Sequence, residues 1–146
     1  MKKWYRLLLL LITATSILLA WQDSEKYGNL TVIVEGIETN DGQVLIALNN
    51  SEENYENKKQ AFRGITVNII DLKATFTFEN LPYGIYAIKT YHDQNSNREL
   101  DTNFMGMPIE NYGFSNNARG TFGPASWEDA KFRFEVQTDT LRIRIQ

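Results

Sequence analysis

The chain has 146 residues, no cysteine, one histidine and a net charge of −3 at pH 7. The absence of thiols excludes disulfides, thiolate metal centres, a cysteine nucleophile and a lipid-modified N-terminal cysteine. The acidic balance argues against a nucleic-acid partner, whose phosphates call for clustered Lys and Arg.

The chain opens on Lys2, Lys3 and Arg6, followed by an uncharged and mostly apolar run at residues 7–20. A basic start before an apolar run of about 7–15 residues is the form of a secretory signal peptide. A spanning helix needs about 20 apolar residues. Residues 1–20 are therefore expected to be a signal peptide, with a short membrane anchor as the alternative. Either way the protein is expected to be exported, secreted or periplasmic, and to touch a membrane only through this segment if it stays uncleaved. Residues 21–146 then form one domain, carrying 12 basic and 18 acidic residues. Without disulfides that domain must stand on its hydrophobic core.

Short segments with a period of two follow. The first is residues 30–35. Asn40-Asp41-Gly42 is a turn signal, and residues 43–48 form the second segment. The polar stretch at 51–61 reads as a loop or a single helical turn. Residues 65–70 alternate next. In residues 74–79, Ala74, Phe76 and Phe78 share one face while Thr75, Thr77 and Glu79 share the other. Residues 80–84 are a turn, and residues 85–92 are apolar on both faces, as a central strand would be.

From there to about Ala130 no strand or helix period is visible. Structureless loops of that length are uncommon in compact domains and are often functional. Ser126, with Asp129 three residues on, is placed to cap a helical turn. Phe132, Phe134 and Val136 alternate with charged residues, and so do Leu141, Ile143 and Ile145. Seven short strands with polar turns predict an all-β sandwich with one long loop.

One region is distinctive. Gly84, Tyr86, Lys89 and Tyr91 lead into His92-Asp93, Asn95, Asn97, Leu100-Asp101 and Asn103. Gly106, Pro108, Glu110 and Tyr112-Gly113-Phe114-Ser115-Asn116-Asn117 follow, then Phe122-Gly123-Pro124, Ser126 and Glu128-Asp129-Ala130. This pattern resembles the DUF2141 family over residues 29–146, most specifically over 84–131. The resemblance implies a small exported bacterial protein with an immunoglobulin-like or prealbumin-like β-sandwich. It brings no activity, catalytic residue or cofactor. The chain departs from the family pattern at Arg98, where glycine is expected.

Within that region, Asp93, Asn95, Asn97 and Asp101 occupy relative positions 1, 3, 5 and 9 of a loop, with apolar Leu100 at position 8. Calcium takes six to eight oxygens, often from alternate loop positions. The backbone carbonyl of Glu99 would add one more, so the candidate metal ligands are Asp93, Asn95, Asn97, Glu99 and Asp101. Arg98 stands where the sharp turn favours glycine. Phe104 stands where a bidentate acid is usual. Two carboxylates imply weak binding, with Glu110, Glu128 or Asp129 available to complete the shell. The alternative is an Asx-rich turn whose side chains cap their own backbone.

The remaining chemistry is sparser. His92 and Asp93 point to opposite faces of a strand, which argues against a direct dyad. A strand-end histidine bonded to a loop is the expectation. Phe104, Tyr112, Phe114, Phe122 and Trp127 in the long loop suggest a stacking platform, with Tyr112, Phe114 and Trp127 as ligand-binding candidates. The alternative is a satellite core that orders the loop. Carboxylate pairs such as Asp93 with Asp101, or Glu128 with Asp129, raise a hydrolase reading, but no nucleophile motif, P-loop or zinc-protease motif accompanies them. The sequence thus points to a non-catalytic, calcium-binding or structural module with an extracytoplasmic ligand, a glycan or a protein. A carbohydrate-binding module is the alternative, and a carboxylate hydrolase stands behind it.

Overall fold

The computed structural model describes residues 26–57 and 61–146. The expected leader, cleaved or anchoring, lies outside the described residues. Eight strands run in chain order: β1 (Tyr27–Glu35), β2 (Gln43–Asn49), β3 (Arg63–Val67), β4 (Ala74–Pro82), β5 (Gly84–Asp93), β6 (Tyr112–Phe114), β7 (Phe132–Phe134) and β8 (Thr138–Arg144). Two short α-helices, α1 (Glu52–Glu56) and α2 (Trp127–Ala130), and a 3-10 turn at Ser115–Asn117 join them. Among the described residues no helix is long and apolar enough to cross a membrane.

The strands form two facing sheets, an all-β sandwich. One has the order β4-β1-β8, with β1 antiparallel to β4 and parallel to β8. The other has the order β3-β2-β5, and the far edge of β5 is shared by β7 at its start and β6 near its end. The period-two pattern fills the space between them. Leu30, Val32 and Val34 of β1 meet Val44, Ile46 and Leu48 of β2, with Phe78, Ile88, Phe134 and Ile143, all buried. Each such side chain contributes roughly 1.5–3 kcal/mol by leaving water.

The structure differs from the expected seven strands by adding β6. Three residues are too few to display a period. Tyr112-Gly113-Phe114 is a strand because it lies along β5 and because β8 crosses it closely. A Cβ built on Gly113 would sit 3.0 Å from the Arg144 carbonyl oxygen. Beyond β8, Gln146 exchanges both backbone hydrogen bonds with Tyr112, at 3.1 and 3.3 Å, tying the two sheets together at this corner.

Smaller differences have local causes. The third strand stops at Val67 rather than Ile70, because Val67 lies opposite Val44 and β2 begins at Gln43; Asp71 and Leu72 then turn the chain (φ 52° and 57°). The 51–61 stretch holds α1, capped by Ser51, whose Oγ accepts the Asn54 N–H at 3.2 Å. On the open side of the sandwich, Arg63 reaches from β3 across to the Glu79 and Asn80 carbonyls of β4, at 3.1 and 3.4 Å.

Candidate functional site

The end of β5 carries the residues singled out above. His92 is wholly buried, and its Nε2–H donates to the Asp41 carbonyl at 2.7 Å. It is the loop-bonded histidine that its place at a strand end suggests. Nδ1 has no hydrogen-bond partner among the described residues. Asp93 is also wholly buried. Its Oδ1 accepts the Asn97 N–H at 3.0 Å, and its Oδ2 accepts the Arg98 N–H at 2.8 Å and Gln43 Nε2 at 2.7 Å. Burial alone would raise the Asp93 pKa. The Gln43 amide and the N–H groups of Arg98, Asn97 and Ser96 together outweigh it and hold the carboxyl below the usual value.

The loop beyond β5 folds onto itself. Asn95 Oδ1 accepts the Asn97 N–H at 3.0 Å, and Asn97 Oδ1 accepts the Glu99 N–H at 2.7 Å. The two amide nitrogens then donate to Asp101, Asn95 Nδ2 at 2.6 Å and Asn97 Nδ2 at 3.1 Å. Asp93, Asn95, Asn97 and Asp101 are thereby linked into one group. None of the hydrogen bonds draws in the Glu99 carbonyl. Ser96 and Arg98 both take left-handed φ, 60° and 65°, so Arg98 adopts the conformation for which glycine was expected. That costs a side-chain-bearing residue roughly 1 kcal/mol.

Glu110 fastens the loop at its base. Its buried carboxylate accepts the Gln94 N–H at 2.9 Å and the Asp101 N–H at 3.0 Å. It therefore engages the two ends of the loop, one oxygen to each. The other two acids considered for this shell are occupied at α2. Glu128 pairs with Lys131 at 2.6 Å, and Asp129 accepts from Ser126 Oγ at 2.6 Å. Negative charge collects around the loop. Burial first, then the charges of Asp93, Glu110, Glu99 and Asp101, push the Tyr91 hydroxyl up to about 12. Among the described residues no three of His, Cys, Asp and Glu are placed to hold a metal together.

The next segment is a small hairpin that sequence reading missed. Thr102 bridges Pro108, the Asn103 N–H donates to Met107 O at 2.8 Å, and Ile109 N–H donates to Asp101 O at 2.9 Å. Asn103 Oδ1 accepts the N–H groups of Met105 and Met107, at 2.9 and 3.1 Å. The hairpin holds its side chains out: Phe104 is 96% exposed, Met105 65%, Met107 59% and Ile109 65%. The signal was present as an uncharged run from Thr102 to Ile109 that holds both methionines beyond Met1.

Of the two readings of Tyr112, Phe114 and Trp127, stacking platform or satellite core, the structure presents the satellite core. Phe114 and Trp127 are 6% and 8% exposed, packed with Tyr55, Ala87, Ala125 and Ala130 and flanked by half-buried Tyr112. Trp127 meets Tyr55 edge-on at 5.8 Å. The physical reason is the outer face of β5, where Ala87, Lys89 and Tyr91 leave a surface that the long loop folds back to cover. Ser115 fixes it there, its Oγ accepting the Ile88 N–H at 2.9 Å and donating to Ala130 O at 2.5 Å. Tyr55 adds an O–H to Ala125 O at 2.9 Å. Of the five loop aromatics, Phe104 and Phe122 stay in solvent.

The family description that matches the chain, over residues 32–142, is that of an uncharacterized protein conserved in bacteria, DUF2141. The chain belongs to the DUF2141 family. No curated protein and no solved structure matches it. The DUF2141 match takes in both sheets, the wired 93–101 loop, the exposed hairpin and the satellite core, so all of these are features of this member's family region.

Proposed function

We propose that the protein is an exported, non-catalytic binding module whose working end is the loop region that follows β5. In this reading the 93–101 loop takes a calcium ion weakly, through Asp93, Asn95, Asn97 and Asp101 with the Glu99 carbonyl, and so holds the long loop in its presenting position. The observation that carries the reading is that hydrogen bonds gather Asp93, Asn95, Asn97 and Asp101 into one group at the end of β5.

The same geometry favours a binding role over a hydrolase. His92 is sealed from solvent and committed to the Asp41 carbonyl. The carboxylates of Asp93 and Glu110 accept backbone N–H groups on both oxygens. A general acid or base must reach a substrate proton, and none of these three does. The carbohydrate reading loses its platform with the burial of Phe114 and Trp127.

Titration calorimetry and thermal melting with calcium test the proposal. Binding heat at millimolar calcium and a raised Tm, both lost in Asp101→Ala, are the expected results. No heat and no Tm shift in the wild type would leave the loop as a hydrogen-bonded turn.

A further inference from the structure

We infer that the Thr102–Ile109 hairpin is a membrane-contacting finger, whose ligand is the apolar interior edge of a phospholipid bilayer. This goes beyond the reading above and does not rest on calcium. It is also distinct from any membrane contact made by the N-terminal segment.

The first ground is what the finger exposes. Phe104, Met105, Met107 and Ile109 are all more than half in solvent within six residues, and no charged side chain lies between Thr102 and Ile109. Exposed apolar surface gathered in one place marks an interaction site. This one is convex, a tip and not a groove, and so is shaped to enter something.

The second ground separates a bilayer from a protein partner. Hydrocarbon offers no hydrogen bonds, so backbone that enters it must satisfy its own polar groups. A protein pocket makes no such demand, because its own groups can serve. In the finger, the N–H groups of Asn103 and Gly106 go to Met107 O and Asn103 O. Those of Met105 and Met107 go to Asn103 Oδ1, and that of Ile109 goes to Asp101 O. Pro108 has no N–H. The Thr102 and Phe104 N–H groups and the carbonyls of Phe104, Met105 and Gly106 have no such bond among the described residues, so it is the apolar side chains that enter the lipid while the bend of the turn stays at the headgroups. Asn103 thus closes the turn from within, and the side chains that project are the ones a lipid phase accepts.

The third ground is the collar. Two of the acids at the root are turned inward, Asp101 toward Asn95 and Asn97, and Glu110 toward two backbone N–H groups, while Glu99 is exposed. The finger can therefore approach a neutral lipid surface without first stripping water from those two carboxylates. Net negative charge on the chain favours zwitterionic over anionic headgroups.

The lack of native cysteine makes the test direct. In the full chain, Phe104→Cys carries a polarity-sensitive fluorophore. Asp139→Cys, at the start of β8 and the opposite end of the sandwich, carries it as the control. Phosphatidylcholine vesicles with brominated acyl chains are added in the presence of chelator. The expected result is a blue shift and bromine quenching at 104 and neither at 139, whether or not the N-terminal segment holds the chain on the vesicle. Adding Met105→Asp and Met107→Asp is expected to lower the vesicle concentration dependence at 104 at least about tenfold with Tm unchanged.

Equal responses at 104 and 139 overturn the proposal, since the leader alone would then explain them. A label at 104 that stays in water with vesicles overturns it too, whatever protein it is later found to crosslink. So does a label already shielded without vesicles, which would mean that the finger is covered by this chain or by a second copy. Loss of calcium binding in the Asp101→Ala test leaves these outcomes untouched.

Discussion

The Arg98 N–H donates to Asp93 Oδ2 at 2.8 Å from a left-handed φ of 65°. A buried carboxylate thus holds in place a residue whose side chain disfavours the conformation. The turn is made by the acceptor at its start, not by an easy residue at its bend.

Arg98→Gly should therefore stabilise the protein. Relief of the left-handed strain is worth roughly 1 kcal/mol, less a few tenths for the freer unfolded chain. A rise in Tm of about 2–4 °C is the expected reading in a thermal melt. A fall in Tm would show that the Arg98 side chain contributes something the backbone does not reveal.

Asp93→Ala should cost about 3 kcal/mol or more, because it strands the Gln43 amide and two N–H groups that now point at a buried charge. The wild type should also lose stability in acid. The folded carboxyl titrates below its ordinary value of 3.8. Its contribution is then full above that value and is lost as the pH falls below it, through the depressed folded pKa. Urea midpoints measured from pH 6 down to pH 2 check this. Asp93→Asn should start lower and fall less steeply, and parallel curves for the two proteins would refute the assignment.

Glu110→Gln keeps the shape of the clamp but replaces one acceptor oxygen with an NH2 group that faces an N–H donor. The expected loss is about 2 kcal/mol, and it should be local. Hydrogen exchange at the Gln94 and Asp101 amides should speed up well before that of the β2 and β5 ladder amides. Uniform acceleration across the sheet would contradict a clamp confined to the loop.

Tyr55→Phe removes the hydroxyl that donates to Ala125 O across the satellite core. Leaving a buried carbonyl unpaired should cost about 1–2 kcal/mol, measured by urea unfolding. The exposed hairpin should not respond, because Tyr55 reaches the long loop at Ala125 and Trp127 and not at residues 102–109. Vesicle binding by this variant should match the wild type.

Both sheets were readable because their residues obey a short rule. Leu30, Val32 and Val34 alternate with exposed or half-exposed neighbours, and so do Val44, Ile46 and Leu48. The 93–101 loop was readable by spacing, and Ser126 as a cap by its relation to Asp129. What stayed hidden depends on partners remote in sequence. β6 is a strand only because β5 and β8 lie beside it. A satellite core of loop aromatics was in view, but not that Tyr55 and Ala125 would close it over Phe114 and Trp127. Glu110 was in view as an acid, but that its two oxygens hold Gln94 and Asp101 follows from how the chain returns to β5. The hairpin at Asn103 was missed for another reason: four exposed apolar residues look like core to any rule that equates hydrophobicity with burial.

The parallel pairing of β1 with β8 sets a clock on assembly. β1 gains β4 early, but its other neighbour emerges only after the long loop and β7 have been synthesised. Until Arg144 is out, one edge of β1 is open and Ile143 cannot fill the core beside Val34. Distant pairing of this kind delays closure of the sandwich. A chain built this way cannot close its sandwich before β8 has been made, however early its other strands have paired.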